Sequence, residues 1–176
     1  IAIDKNDEIH ITDANNGRVQ GFNTDGIYLG GFDLPRDNPK NLKRRTGMAG
    51  GILVDGDGLI YVSFMSQHRI VVFTGDGKLV REWGRKGTGP GEFDQPGGMV
   101  FGPDGSLYIC DQCNHRIQRF TREGKFLAQW GEHGSEPGKF GGPEKQGSRF
   151  AGPHFISMDS SGRLYTTDGC LARVQQ

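Results

Sequence analysis

Four copies of one strand pattern run through this chain, and no other feature limits its fold as tightly. Segments 4–32, 55–83 and 102–130 align without a gap, and a shortened fourth copy starts at Asp159. Each copy reads as a short apolar strand, a turn with Gly or Asp, and a second apolar strand. A polar loop follows, then a strand that opens on arginine, a Gly turn and a last strand ending in an aromatic. The arginine recurs as Arg18, Arg69, Arg116 and Arg173. Four-stranded units repeating at intervals of roughly 50 residues are propeller blades.

Composition tests that reading. Gly accounts for 30 of 176 residues and apolar residues for only 34%, which raises disorder as a rival. The glycines recur at fixed places and the strands alternate regularly, so disorder fails. Gly is expected to serve the tight turns between short strands. Lys+Arg 21 balances Asp+Glu 21, leaving no general electrostatic pull toward nucleic acid or anionic membrane. No apolar run approaches the length of a membrane span. Three cysteines, an odd count, argue against a complete disulfide framework.

The fold class is therefore all-β. Blades are expected at 1–33, 49–84, 97–131 and 153–176, within one partial propeller domain over 1–176. Asp57-Gly58, Asp104-Gly105 and Ser161-Gly162 should join first to second strands, and Asp25-Gly26, Asp76-Gly77 and Glu123-Gly124 third to fourth. Asp-Gly is the pair preferred where both central residues take positive φ. Two connections between copies, 87–93 and 134–140, are near twins. Leu34–Met48 differs and is basic, with Lys40, Lys43, Arg44 and Arg45; it reads as a solvated insertion, with a phosphate or partner site as the alternative. Roughly three and three-quarter blades do not close a ring, and closed propellers hold four to eight. The chain is expected to be a piece of a longer one, its remaining blades missing.

The string Asp111-Gln112-Cys113-Asn114-His115-Arg116-Ile117-Gln118-Arg119-Phe120 resembles the NHL repeat. Gly89-Pro90-Gly91-Glu92-Phe93 and Gln95-Pro96-Gly97-Gly98 are similar to that family's inter-blade linker. The resemblance covers the chain except Leu34–Met48 and Gly141–Arg149, and implies a propeller that is six-bladed when complete. It points to a bacterial, exported origin. NHL domains bind RNA, proteins or small ligands, and one branch, the peptidyl-hydroxyglycine amidating lyase, is a zinc enzyme. Blades three and four resemble that branch locally, through segment 124–132 and Gly152-Pro153-His154-Phe155-Ile156-Ser157. The branch implies a zinc ligand from a Pro-His opening the innermost strand of each of three blades. Here only His154 stands at that place; Gly50 and Gly97 hold the equivalent positions. Gln112 stands where the branch has its catalytic Tyr and Gly169 where it has its catalytic Arg. One histidine cannot hold catalytic zinc alone, so the lyase residues are not matched.

Other constellations read as structure. Asp13/Arg18, Asp111/Arg116 and Asp168/Arg173 repeat at one spacing, while Arg69 has Phe64 in place of the acid; an Arg fork that binds carboxylate and backbone acceptors together suits a stacking device. Cys110 and Cys113 form a lone CxxC, read as packed thiols, with a Cys110–Cys113 or Cys113–Cys170 disulfide, or metal, as alternatives. His68 and His115 share a register at a loop-to-strand boundary and read as structural; His10 and His133 read as ordinary. His154 opens an innermost strand facing the axial channel.

Inner-strand starts and second-to-third-strand loops lie on one face of a propeller. His154, Gln112, Cys113, Asn114, Asp168 and Cys170 should share that face. The expected function is a binding or scaffold module for a protein, peptide or small ligand, using this top face and the channel. The alternative is a divergent metal-dependent lyase or hydrolase with His154 as one ligand to zinc or calcium. RNA binding through Leu34–Met48 is weaker.

Overall fold

A computed structural model describes residues 1–35, 48–142 and 152–176. Blade one comprises β1 (Ala2–Ile3), β2 (Ile9–Asp13), β3 (Arg18–Phe22) and β4 (Tyr28–Asp33). Blade two comprises β5 (Ala49–Val54), β6 (Ile60–Phe64), β7 (Arg69–Phe73) and β8 (Leu79–Trp83). Blade three comprises β9 (Pro96–Phe101), β10 (Leu107–Asp111), β11 (Arg116–Phe120) and β12 (Phe126–Trp130). A two-residue parallel pair, β13 (His133–Gly134) and β14 (Phe140–Gly141), closes the next connection. Blade four comprises β15 (Pro153–Met158), β16 (Leu164–Asp168) and β17 (Arg173–Gln175). Each blade is an antiparallel meander in chain order, with four, four, four and three strands. The fold is a partial NHL-type propeller. The insertion 36–47 and segment 143–151 lie outside the described residues.

Period-two alternation sorts each strand between two neighbours. Ile60, Val62 and Phe64 of β6, with Val71 and Phe73 of β7, pack toward blade one against Val19 and Phe32. The intervening Tyr61, Ile70 and Val72 pack toward blade three against Leu107, Ile109 and Phe120. Blade two is thus covered on both faces, and all of β6 is buried. The blade-end aromatics join these layers: Phe32 lies 5.3 Å from Phe73 and Trp83 6.1 Å from Phe120 between ring centroids.

The turns differ from expectation in one respect. Gly58, Gly105 and Gly162 take positive φ, as do Gly26, Gly77 and Gly124, but the Asp, Glu or Ser before each does not. Gly58 N–H donates to Asp55 O at 3.0 Å, and Asp55 N–H to Leu59 O at 3.0 Å. This is a type I turn followed by a left-handed residue, a three-residue hairpin loop rather than a two-residue one. Asp55 Oδ1 accepts from the N–H groups of Asp57 and Leu59, both at 2.9 Å. That side-chain capture, repeated at Asp4, Asn23 and Asp159, supplies the fixation that a tighter turn would otherwise give.

The repeated arginine is a linker latch. Arg116 Nε donates to Asp111 at 2.8 Å, and its terminal nitrogens donate to the carbonyls of Thr88, Gly89 and Glu92 at 2.6–2.9 Å. Arg173 does the same for the twin linker, reaching Ser135 O, Glu136 O and Lys139 O. The partner acid anchors the linker's far end: Asp111 accepts from Asp94 N–H at 2.7 Å, Asp168 from Gly141 N–H at 3.0 Å. Asp111 also accepts from Asn114 and Gln118. Burial pushes its carboxyl up from its ordinary value, against the pull of Asn114, Asp94 N–H and Arg116. Among the described residues, Arg18 pairs with Asp13 at 3.0 Å and is exposed, and Arg69 pairs with Gln67 and Glu82.

Candidate functional site

The inner strands β5, β9 and β15 run side by side around the axis, and glycine makes their approach feasible. A Cβ on Gly98 would lie 2.9 Å from His154 O and 3.0 Å from Phe155 Cα; one on Gly51 would lie 2.8 Å from Gly97 O. These glycines serve inter-blade packing, not turns. Each inner strand opens on a register shift, between Ala49 and Ile52 and between Pro153 and Ile156, with a matching one where β10 meets β9. The irregular backbone needs extra acceptors. Ser63 Oγ accepts from Gly51 N–H at 2.6 Å and donates to Gly97 O at 2.7 Å; Thr167 Oγ1 accepts from Phe155 N–H at 3.1 Å. Cys110 fills the same register in blade three.

Blade four breaks the glycine pattern. Where β5 has Gly50-Gly51 and β9 has Gly97-Gly98, β15 has His154-Phe155. These two side chains, with Thr167, Gly169 and Cys170, line a mostly apolar cavity of about 350 Å³ at the top of the inner strand. Phe155 is exposed, its ring 5.5 Å from that of His154. Burial holds the His154 imidazole below its ordinary value, so it is neutral near pH 7.

The six top-face candidates separate into groups. His154 and Cys170 meet at the cavity. Gln112 lies beside it: a Cβ on Gly97 would lie 2.2 Å from Gln112 Nε2 and 3.0 Å from His154 O. Gln112 is buried, and its Oε1 has no hydrogen-bond partner among the described residues. Asn114 is engaged elsewhere, donating to Gly87 O at 2.8 Å and Asp111 at 2.9 Å. Asp168 holds Gly141 N–H, and Cys113 is buried beneath the linker with its N–H on Asp94 O at 3.0 Å. Gln112–Asn114 form a single 3₁₀ turn, capped by His115 at φ 54°. His68, also at φ 54°, Gly17 and Ala172 occupy the same left-handed register. The His68 ring accepts from Gln95 N–H at 3.1 Å, whereas the buried His115 ring lies against His133, centroids 4.6 Å apart.

None of the three cysteines forms a disulfide. Burial pushes Cys110 up to about 12 and Cys113 up to about 11, so neither is a nucleophile near neutrality. Cys170 is exposed at the cavity rim. Among the described residues no group of three metal-ligating side chains includes His154; the group that does form is Asp4, Glu8 and His10, elsewhere on the molecule. That group was missed in the sequence, although Glu8 and His10 are departures from the repeat that could have shown it.

Comparisons with known proteins agree with this geometry. A model of the NHL repeat matches residues 93–120, from the linker aromatic Phe93 through β11. A search of curated proteins finds no significant match. Among solved structures, a streptogramin B lyase is 17% identical, with TM-score 0.66, 96% of this chain covering 47% of that one. A catalytically inactive virginiamycin B lyase from Staphylococcus aureus with quinupristin is 20% identical, with TM-score 0.64, over 94% of this chain and 47% of that one. A protein of unknown function from Bacteroides thetaiotaomicron reaches TM-score 0.74 at 18% identity, over 98% and 45%. The chain spans about half the length of these structures. At such identities the likeness is one of fold, and it lends the amidating-lyase branch no support. Among the described residues no helix is long and apolar enough to cross a membrane.

Proposed function

We propose that this chain is a ligand-binding propeller module whose ligand enters the top-face cavity beside His154. The observation that supports this most is the replacement of the close-packed Gly-Gly pair of blades two and three by His154-Phe155 in blade four. That change sets an imidazole and an aromatic ring where the other two blades carry no side chain. Apolar walls with few convergent polar groups are the usual form of a binding site. A peptide with an aromatic or aliphatic side chain next to a polar group matches it: the side chain lies on Phe155, and the polar group faces the His154 imidazole. A metal-dependent lyase at the same place is the rival, and it needs further ligands beside His154.

Selection from a displayed peptide library tests the reading. Peptides enriched on the native chain should lose binding when Cys170 is alkylated with iodoacetamide or when His154 is replaced by Ala. Peptides that bind both altered forms unchanged would place recognition elsewhere.

A further inference from the structure

On the face opposite the His154 cavity, the blades share a device that blade one rebuilds. In blade two the Tyr61 hydroxyl donates to Asp55 Oδ2 at 3.1 Å, and in blade four Tyr165 does the same to Asp159 at 3.2 Å. Blade three has Gly102 in place of that acid, but an arginine serves this end of blades two, three and four alike. Arg81 lies 3.5 Å from the Tyr61 hydroxyl, Arg163 donates to Asp159 Oδ2 at 2.7 Å, and Arg119 of blade three pairs with Asp104.

Aligned positions in blade one read differently. The tyrosine is His10, the place of Arg163 is held by Glu8, that of Arg81 by Gly30 and that of Arg119 by Gly21. Every cation is gone and a second carboxylate has arrived. Asp4 pairs with His10 at 3.3 Å, and Glu8 forms no ion pair among the described residues. Glu8 and His10 are two residues apart on extended chain and so project to one side. A cavity of about 130 Å³ opens there, lined by Glu8, His10, Gly21 and Gly30 among others. One ligand atom from each of Asp4, Glu8 and His10 lies within 4.8 Å of the other two.

We infer that Asp4, Glu8 and His10 bind one divalent transition-metal cation of the zinc class, which supplies the positive charge that arginine supplies in the other blades. One imidazole nitrogen with two carboxylates suits zinc, and the nitrogen donor disfavours calcium, whose ligands are oxygens. Three protein ligands leave a coordination position open toward the cavity.

Equilibrium dialysis of the native chain against zinc, read by elemental analysis, tests this with three variants. His10→Tyr restores the residue found as Tyr61, Tyr108 and Tyr165, so it should fold, as circular dichroism will check. Glu8→Gln removes one charge from the half-buried position just before β2 and is the second ligand variant. His154→Ala alters the opposite face. The expected result is one zinc per chain, retained by His154→Ala and weakened in both ligand variants by more than the roughly 10–100-fold that loss of an outer-shell partner alone costs. The inference is overturned by a folded native chain that binds no zinc, by zinc undiminished in His10→Tyr and Glu8→Gln, or by zinc lost only in His154→Ala. It stands or falls separately from peptide binding at His154.

Discussion

Arg116 and Arg18 occupy the same place in the repeat and have different partners among the described residues. Arg116 is buried and satisfies three linker carbonyls as well as Asp111 and Gln129. Removing it strands a buried carboxylate, so Arg116→Ala should cost about 3–5 kcal/mol in chemical denaturation. In this chain Arg18→Ala removes an exposed pair, the one it forms among the described residues, and should leave the denaturation midpoint nearly unmoved; equal losses from the two variants would contradict the latch. The thiols make a second contrast. In the native chain, Ellman's reagent at mildly alkaline pH should modify Cys170 alone, with Cys110 and Cys113 reacting only after unfolding. Rapid modification of all three would refute the burial assigned to them. The arginine register was legible because it repeats. Its targets were not, since each carbonyl lies 24–28 residues from Arg116 in a linker with no side-chain signal.

At the scale of elements, glycine carries two separate jobs that the sequence presents as one. Gly58 and its counterparts hold left-handed turns, as their Asp-Gly context suggested, although Asp57 itself stays at negative φ. Gly51, Gly97 and Gly98 lie in inner strands and exist to let neighbouring backbones touch. Gly98→Ala would press a methyl onto the His154 carbonyl and the Phe155 backbone, and should destabilise by about 1–3 kcal/mol. Gly56→Ala, with nothing within 4 Å and no positive φ, should stay within about 0.5 kcal/mol. Thermal unfolding of the pair separates packing from turn conformation; similar losses would show that close inner-strand packing is not what Gly98 provides. Strand existence was readable from period-two alternation. The inner-strand irregularities were not, because hydroxyls from Ser63 and Thr167, on a different strand, complete them.

Over the whole molecule, burial of His68, His115 and His154 lowers each imidazole below its ordinary value, which is 6.5. Burial is the leading cause in each case. The unfolded chain therefore takes up these protons first as pH falls. Their contribution to stability is full above about pH 6.5 and is lost as pH drops through the lower folded values. Denaturation midpoints should fall as pH drops from about 6.5 to 5, and a flat profile would contradict the assigned burial. The candidate site was only half legible. Strand order placed His154, Cys170 and Gln112 near one another, but the same reasoning gathered in Asn114 and Asp168, which the structure commits to the linkers. Sequence position fixes which face a loop occupies; it does not show which of its side chains are already satisfied. The most direct test of the binding account is isothermal titration of one library-selected peptide into the native chain and into His154→Ala. At least a tenfold loss of affinity in the folded variant is predicted. Equal affinity would show that the cavity beside His154 is not where this propeller binds.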